Sequence, residues 1–291
     1  MLAPNSRNQL FVAFDTETTG FQPVKERMLE IAAVKFTASG QVVEKFSELI
    51  DPGIPIPESA SKVNGLYDED VRGKPPAKEV LQKFSEFIGS DSILLAHNAE
   101  FDAKFTGAEY TMQGLDLPKN EIWDTLPMAR EFTKNTGVMS ASEAKSDHMN
   151  NKKLENLVNH YGFKVEGFHR GLVDSTYVMH LFLFWHNQDG IDLKGLREFG
   201  NPRTFGIAKD VFAVQLPLPL MGLKKSIHKK CGLSFQYEEK GERRSMEVNP
   251  HTLFKGEKYQ FLYATRTDSE FPEAFRLDLL TKPKVLVTNR A

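Results

Sequence analysis

The chain has 291 residues, of which 40% are hydrophobic and 26% charged, an ordinary composition for a globular protein. Its single cysteine, Cys231, argues against a disulfide framework or a cysteine-based zinc site and fits a cytoplasmic location. No segment has the roughly 20 apolar residues of a membrane helix, and the N-terminus lacks the pattern of a signal peptide. We therefore expect a cytoplasmic protein without a membrane partner, built from one large domain or from one large and one small domain.

The formal net charge of −2 is unevenly distributed along the chain. Residues 206–291 hold 15 lysines and arginines against 10 acids, a net charge of +5. The first 205 residues hold 22 against 29, a net charge of −7. The acidic and basic parts of the chain are therefore expected to serve different roles.

The hydrophobic pattern predicts an α/β arrangement in the first part of the chain. Strands are expected at 11–16, 28–36, 42–50 and 93–98, and helices at 79–88, 99–105, within 123–132, at 153–163 and at 171–185. A hairpin turn at 38–41 makes the first three strands an antiparallel half-sheet. Residues 51–65 are proline-rich and expected to be extended, and the polar segment 133–151 is expected to be a mobile loop.

Glycines and the proline run LPLPL predict a break in the chain after the last of these helices. We expect a first domain at 1–187, a linker at 188–217 and a small domain at 218–291. The small domain opens with an amphipathic helix whose apolar face carries Leu220, Leu223, Ile227 and Cys231. The short strands LSFQY, SMEVNP, YQFLYA and AFRLDLL follow, which predicts a small barrel-like, mostly-β domain.

The stretch FVAFDTETTG places Asp15 and Glu17 at the end of an apolar strand. Side chains two residues apart in a strand point to the same face, so the two carboxylates would repel each other. A divalent cation such as Mg²⁺ or Mn²⁺ would relieve that repulsion, since these ions prefer oxygen ligands. A strand end followed by a polar turn is the alternative interpretation.

Two further acids lie in informative surroundings. Asp102 follows His97 and Asn98 at the end of the strand ILLA, where open sheets bind ligands, although it could also be a helix N-terminal charge. Asp174 lies in a strongly apolar helix, where a carboxylate is costly unless paired or bound to metal. His169 precedes Asp174 by five residues, and alone it would be read as polar surface.

Together, these residues form a coherent catalytic set. Four carboxylates can hold two divalent cations about 4 Å apart, an arrangement that cleaves phosphodiesters by in-line attack. A histidine that titrates near neutral pH is suited to take the proton of the attacking water. The hypothesis from the residues is therefore metal-dependent phosphodiester hydrolysis.

The motifs FDTETTG, AHNAEFD and HRGLVDS resemble the three motifs of the DEDDh family of 3′–5′ exonucleases, the DnaQ-like, ribonuclease T-type group. The resemblance covers residues 11–185. It implies a ribonuclease H-like fold with a mixed five-stranded sheet flanked by helices, and a nucleic-acid 3′ end as substrate. It also implies that Asp15, Glu17, Asp102 and Asp174 hold two Mg²⁺ or Mn²⁺ ions and that His169 is the general base. Gly171 and Ser175 depart from the alanines usual in the family.

The same resemblance suggests how the 3′ end is held. The backbone from Thr18 to Gly20 would approach the terminal nucleotide, and Phe21 would wedge against the last base. His97, Asn98 and Phe101 would line the opposite wall. Stacking on an aromatic ring tolerates any base, so little base selectivity is expected. Packing into the core is the alternative for both phenylalanines.

The C-terminal segment resembles a WYL domain, an SH3-type barrel of bacterial regulators. The matching positions are Tyr237, Arg244, Pro250, residues 260–264 and residues 275–278, while Gln260 and Phe261 depart from the Trp-Tyr pair that gives the family its name. The resemblance implies a nucleotide or nucleic-acid ligand, with Arg244, Arg266 and Arg276 as candidates for its binding. A solvated basic rim without a ligand is the alternative.

The sequence therefore predicts a metal-dependent 3′–5′ exonuclease acting on single-stranded 3′ ends, with DNA favoured. One alternative is an oligoribonuclease or another enzyme that trims RNA 3′ ends. The other is a non-catalytic regulator that binds nucleic acid. Because all five catalytic positions are filled, the enzyme is the leading hypothesis.

Overall fold

The computed structural model describes residues 9–132, 153–164 and 170–286. The loop expected at 133–151 and the candidate base His169 lie outside these ranges. Contacts divide the chain into two compact units, the first comprising Met1–Gly20 and Met28–Ile207 and the second Phe21–Arg27 and Ala208–Ala291. Within the described ranges, no helix has the length and apolar character needed to cross a membrane.

The first unit is built on a five-stranded mixed sheet. Its strands are β1 (Leu10–Thr18), β2 (Met28–Thr37), β3 (Val42–Leu49), β4 (Ile93–Ala96) and β5 (Ile122–Asp124). They lie in the order β3-β2-β1-β4-β5, with β1, β2 and β3 antiparallel and β4 and β5 parallel to β1. The predicted α/β fold with a mixed sheet is confirmed. Because β1, β4 and β5 are parallel, their carboxyl ends meet at one edge of the sheet.

Eight α-helices accompany this sheet in the described part of the first unit. They are α1 (Glu58–Asn64), α2 (Asp68–Val71), α3 (Ala77–Ile88), α4 (Ala99–Met112), α5 (Thr125–Phe132), α6 (Leu154–His160), α7 (Gly171–Leu183) and α8 (Leu193–Phe199). The expectation of an extended chain at 51–65 was wrong for its second half, which forms α1. That helix ends at Gly65, whose left-handed φ of 69° lets its N–H donate to the carbonyl of Ser61.

The core lies on both faces of the sheet. Along β1, Phe11 and Ala13 pack into one cluster, and Val12 and Phe14 pack into the other, as the alternation of strand side chains requires. The first cluster contains side chains of α7, and the second contains those of α3 and α4. Central strands buried on both faces explain why β1 and β4 read as continuous apolar runs.

Part of the segment predicted as a linker is built into the first unit. Leu193 and Leu196 of α8 join the core cluster that holds α7, and Phe205 joins the other cluster with no exposed surface. Asp192 caps α8, because its Oδ1 accepts a hydrogen bond of 2.7 Å from the N–H of Gly195. The glycines of this segment therefore lie between ordered elements. The domain limits themselves stay a prediction.

The described residues of the second unit form one α-helix and a five-stranded antiparallel sheet. The elements are α9 (Gly222–Lys229), β6 (Leu233–Glu239), β7 (Glu242–Lys255), β8 (Gln260–Arg266), β9 (Pro272–Arg276) and β10 (Leu280–Val285), with the strands in the order β10-β6-β7-β8-β9. The predicted mostly-β character is confirmed. The single strand expected at AFRLDLL is divided by a helical turn at Leu277–Leu279, because β9 pairs with β8 whereas β10 pairs with β6.

Candidate active site

Asp15 and Glu17 lie at the carboxyl end of β1 and continue the row of Phe11 and Ala13. Their side chains therefore point to the face of the sheet that α7 covers. Both residues are half-buried. The pairing of β1 with β2 shifts register directly after Glu17, so the regular ladder ends where the acids lie.

Asp174 completes a group of three carboxylates. It lies in the first turn of α7 and is 8% exposed. One oxygen each of Asp15, Glu17 and Asp174 can be chosen such that all three atoms lie within 4.8 Å of one another. Three carboxylate oxygens that converge in this way suit a hard divalent cation, which takes oxygen ligands. The residues present therefore fit a metal site.

Asp102 lies beside this group but does not belong to it. It is 3% exposed, in the first turn of α4, on the opposite face of the sheet from α7. Its Oδ1 accepts two hydrogen bonds from Thr16, one of 3.1 Å from the backbone N–H and one of 2.7 Å from Oγ1. Strand β1 therefore holds the fourth predicted acid as well as carrying two others.

The pKa values of the acids show their mutual repulsion. Burial, followed by the charge of Asp102, raises the pKa of Asp15 well above its ordinary value. Burial and the charge of Asp174 raise the pKa of Glu17 to about 8. Burial raises the pKa of Asp102 to about 7 against the opposing effect of its bonds from Thr16. A bound cation would displace these protons, because metal ligands must be deprotonated.

The residues predicted to hold the 3′ end lie at two turns. After β1, the Thr18 hydroxyl donates to the carbonyl of Gly20 across 2.6 Å, and the Asn64 side chain donates to the carbonyl of Thr18 across 3.2 Å. Phe21 follows with 87% of its surface exposed, so it is not a core residue. These bonds fix the turn from Thr18 to Gly20, whereas Phe21 belongs to the second unit.

The second turn follows β4. His97 Nδ1 lies 2.9 Å from Thr125 Oγ1, and Asn98 adopts a left-handed conformation with a φ of 64°. The Phe101 ring lies 4.8 Å from the Phe105 ring, centroid to centroid, and packs partly against the core. His97 and Asn98 are thus held at the carboxyl edge of the sheet, whereas Phe101 has a packing role at least in part.

Sequence reasoning missed three residues of this region. Asp124, which ends β5, is 5% exposed, and its Oδ1 accepts hydrogen bonds from the N–H groups of Asn98 at 3.0 Å and Leu126 at 2.9 Å. Arg203 Nη2 lies 3.5 Å from Asp124 Oδ2. Glu30, the third, lies within β2 and is 2% exposed. For Asp124 and Glu30, an acid inside or at the end of an apolar strand was the available signal, the same one that identified Asp15; Arg203 carried no such signal.

The three candidate arginines of the second unit are paired with acids. Arg244 contacts Glu242. Arg266 Nε lies 3.1 Å from Glu273 Oε1, and Arg276 Nη2 lies 2.6 Å from Asp278 Oδ2. In contrast, the exposed lysines of the α9 region have no ion pair with any described residue; they are Lys224, Lys225, Lys229 and Lys230. The positive charge of this unit that is not offset by neighbouring acids is therefore lysine charge.

Comparison with curated proteins gives consistent relatives. The chain is 37% identical over 175 residues to a DNA polymerase III of the PolC type from Pediococcus pentosaceus, a match covering 60% of this chain and 11% of the relative. It is 35% identical over 172 residues to the DNA polymerase III subunit epsilon of Treponema pallidum, which covers 59% of this chain and 74% of the relative. The chain thus spans about a tenth of the PolC-type relatives that it matches.

Solved structures share the fold. The zinc-bound complex of E. coli exonuclease I with single-stranded DNA gives a TM-score of 0.56 at 15% identity, covering 88% of this chain and 54% of that chain. Cell-death related nuclease 4 gives a TM-score of 0.53 at 10% identity, covering 62% of this chain and 65% of that chain. The exonuclease family model of the ribonuclease T type matches residues 12–182, more than half of the sequence. The chain therefore belongs to this exonuclease family.

Proposed function

We propose that the protein is a metal-dependent 3′–5′ exonuclease of the DEDDh type that hydrolyses phosphodiester bonds from the 3′ end of a nucleic acid, with DNA favoured. The observation that carries this proposal is the convergence of Asp15, Glu17 and Asp174 within 4.8 Å in a chain of the exonuclease family. Asp102, tied to β1 through Thr16, supplies the fourth carboxylate.

Each residue has a defined role in the proposed reaction. Asp15, Glu17, Asp102 and Asp174 would hold two divalent cations, Mg²⁺ or Mn²⁺. When bound, such ions lower the pKa of a coordinated water and stabilise negative charge on the leaving oxygen. His169 would accept the proton of the attacking water as general base. The carboxylates reach this role only in their ionised form.

The 3′ nucleotide would be held by the two turns at the carboxyl edge of the sheet. The backbone from Thr18 to Gly20 would approach it, and the exposed ring of Phe21 would stack on its base. His97 and Asn98 would contact it from the turn after β4, with Phe101 behind them. Stacking on an aromatic ring tolerates any base, so we expect little sequence preference.

DNA is favoured as substrate because the relatives above are DNA polymerase III proteins and the E. coli exonuclease I complex holds single-stranded DNA. RNA 3′-end trimming is the alternative for the same site. A non-catalytic regulator that binds nucleic acid is the alternative from another class. The filled carboxylate positions support the enzyme.

For the second unit we propose a WYL-like domain at about 218–291 that binds nucleic acid or a nucleotide. The net charge of +5 in residues 206–291 supports this, since phosphate contacts dominate nucleic-acid affinity. Because Arg244, Arg266 and Arg276 are paired with acids, the lysines of the α9 region are the stronger candidates for phosphate contacts.

The test is degradation of 3′- and 5′-labelled single-stranded DNA, duplex DNA and RNA with Mg²⁺, Mn²⁺ or a chelator. Stepwise, metal-dependent loss from the 3′ end is expected, and the fastest substrate identifies the class. Asp15→Ala or Asp174→Ala should abolish hydrolysis, whereas Asp116→Ala, which replaces an exposed acid, should not. His169→Ala should lose most of the rate and keep metal binding. Activity that survives chelation or Asp15→Ala would contradict the proposal.

A further inference from the structure

Glu30 places a fifth carboxylate at the site. It lies on β2 directly opposite Glu17 in the antiparallel ladder, and it is 2% exposed. Directly opposite residues of an antiparallel pair project to the same face, so Glu30 faces the side covered by α7. A buried acid beside four others raises the electrostatic cost of the site, and indeed its charge contributes to the raised pKa values of Asp15 and Glu17.

Both oxygens of Glu30 are engaged by the protein. Oε1 accepts a hydrogen bond of 3.1 Å from Ser47 Oγ of β3. Oε2 accepts one of 3.4 Å from the backbone N–H of Gly171, the first residue of α7, and lies 3.8 Å from Arg170 Nε. Glu30 does not belong to the converging group of Asp15, Glu17 and Asp174. These contacts are those of a residue that holds a helix, not of a metal ligand.

The first turn of α7 is docked on β2 at two points. The N–H of Gly171 donates to Glu30, and the Ser175 hydroxyl lies 3.0 Å from the carbonyl of Ala32 and 2.6 Å from that of Gly171, between which its one proton is shared. Between them the approach is close, since a Cβ atom on Gly171 would lie 3.0 Å from the Ala32 Cβ. Asp174 lies within this turn, so a shift of the turn moves its carboxylate directly.

We propose that Glu30 is a positioning residue: by binding the N-terminus of α7 it sets the place of Asp174 opposite Asp15 and Glu17. This inference rests on the proposed function, because it assigns a purpose to that geometry. The charge of Glu30 is favourable at this point, since a helix N-terminus and the Arg170 guanidinium both attract an anion. The same carboxylate accepts a hydrogen bond from Ser47 of β3, so Glu30 links the helix to both β2 and β3.

The experiment compares Glu30→Gln and Glu30→Ala with Glu109→Gln in the full chain. Glu109 is also 2% exposed and lies in α4 two turns beyond Asp102, so it is a matched buried glutamate. Mn²⁺ dissociation constants are measured by calorimetry without nucleic acid, and kcat and KM are measured on labelled single-stranded DNA. Glu30→Ala should weaken Mn²⁺ binding and lower kcat by about 10- to 100-fold, with KM little changed. Glu30→Gln keeps one acceptor oxygen, so its Mn²⁺ affinity and kcat should lie between those of Glu30→Ala and those of the parent.

The outcomes separate the two proposals. If the parent binds Mn²⁺ and folded Glu30→Ala binds it equally well with an unchanged kcat, the positioning role is overturned and the proposed function stands. If Glu30→Ala does not fold, the test rests on Glu30→Gln. A Mn²⁺ dissociation constant and a kcat equal to those of Glu109→Gln would then overturn the positioning role. If Glu30 had only a structural role, its replacement would lower the melting temperature. At temperatures well below that melting temperature, the Mn²⁺ affinity would then be unchanged. A parent that binds no Mn²⁺ would overturn the proposed function and this role with it.

Discussion

Thr16 Oγ1 donates a hydrogen bond of 2.7 Å to Asp102 Oδ1, and the backbone N–H of Thr16 reaches the same oxygen at 3.1 Å. Thr16 lies between Asp15 and Glu17, and its side chain points to the other face of the sheet. Strand β1 therefore presents two acids on one face and fixes a third acid on the other. The relative positions of these carboxylates are set by one short stretch of backbone.

Thr16→Val should shift the pH dependence of hydrolysis to higher pH. The Thr16 bonds lower the pKa of Asp102, which burial raises to about 7, so the loss of the hydroxyl bond raises that pKa further. We also expect a loss of about 0.5–1.5 kcal/mol in stability. The measurements are pH–rate profiles and denaturant unfolding.

The matched control for this variant is Thr106→Val in α4. The Thr106 hydroxyl is buried and has no hydrogen-bond partner among the described residues, so its replacement should be neutral or stabilising. An unchanged pH profile for Thr16→Val would show that Thr16 does not tune Asp102.

Asp15→Asn should abolish activity and yet stabilise the protein when metal is removed with a chelator. Burial and four neighbouring carboxylates raise the pKa of Asp15, so its ionised form is unfavourable in the folded state. A neutral side chain removes that cost, so the free energy of unfolding should rise for the chelated variant at neutral and alkaline pH. Urea unfolding with chelator checks this, with the exposed Asp91→Asn as a control that should change little. Equal stability of the parent and Asp15→Asn would refute the repulsion.

The stability of the metal-free protein should fall as pH rises from about 4.5 to about 8. The ordinary pKa of a glutamate is 4.5, and that of Glu17 is raised to about 8, so the folded state keeps a proton that the unfolded chain releases. Stability falls with pH wherever the folded state binds more protons. Saturating Mg²⁺ should remove this slope, because the ion binds the deprotonated acids. Unfolding free energies across this range, with chelator and with Mg²⁺, test both statements.

Arg203→Leu should cost about 1–3 kcal/mol of stability. The Arg203 side chain is 12% exposed and faces the buried carboxylate of Asp124, which holds the N–H groups of Asn98 and Leu126. Arg197→Leu is the matched control: its pair with Glu121 has a separation of 2.7 Å, but the two side chains are 44% and 40% exposed. Such exposed pairs contribute at most about 1 kcal/mol. Thermal unfolding distinguishes the two, and equal losses would argue against a role for Arg203.

A chain ending at residue 207 should fold and retain nuclease activity, whereas one ending at residue 187 should not fold. The shorter chain lacks Leu193, Leu196 and Phe205, all of which lie in the core clusters of the first unit. Circular dichroism and the labelled-DNA assay compare the two chains. If the chain ending at 187 is soluble, unfolds cooperatively and is active, the first domain ends near residue 187, as the sequence predicted.

The fold was predictable where apolar periodicity was strong. The spacing of apolar residues admits only one interpretation in five elements, which are β1, β2, β4, α3 and α7. Acidic residues near the ends of these elements were conspicuous among the apolar ones. The sequence did not predict α8 within the expected linker, because its glycines were weighed more heavily than Leu193 and Leu196, which lie at helical spacing. The low helix propensity of glycine argued against a helix here, whereas the burial of the two leucines in the core stabilises one.

The candidate site was predictable as a list of acids but not as an arrangement. Nothing in the sequence showed that Asp102 is bound by Thr16, or that Glu30 lies opposite Glu17, since both facts depend on the register between distant segments. The pairing of Arg266 with Glu273 is likewise a cross-strand relation, which a list of basic residues does not contain.

The close approach of Gly171 and Ala32 has a consequence for the position of α7. With 3.0 Å between the Ala32 Cβ and a Cβ built on Gly171, a second methyl group between β2 and α7 requires the two elements to move apart by a few tenths of an ångström. Alanine at 171 therefore shifts the first turn of α7, which carries Asp174, away from β2. The space between these two positions thus links the size of residue 171 to the place of a catalytic carboxylate.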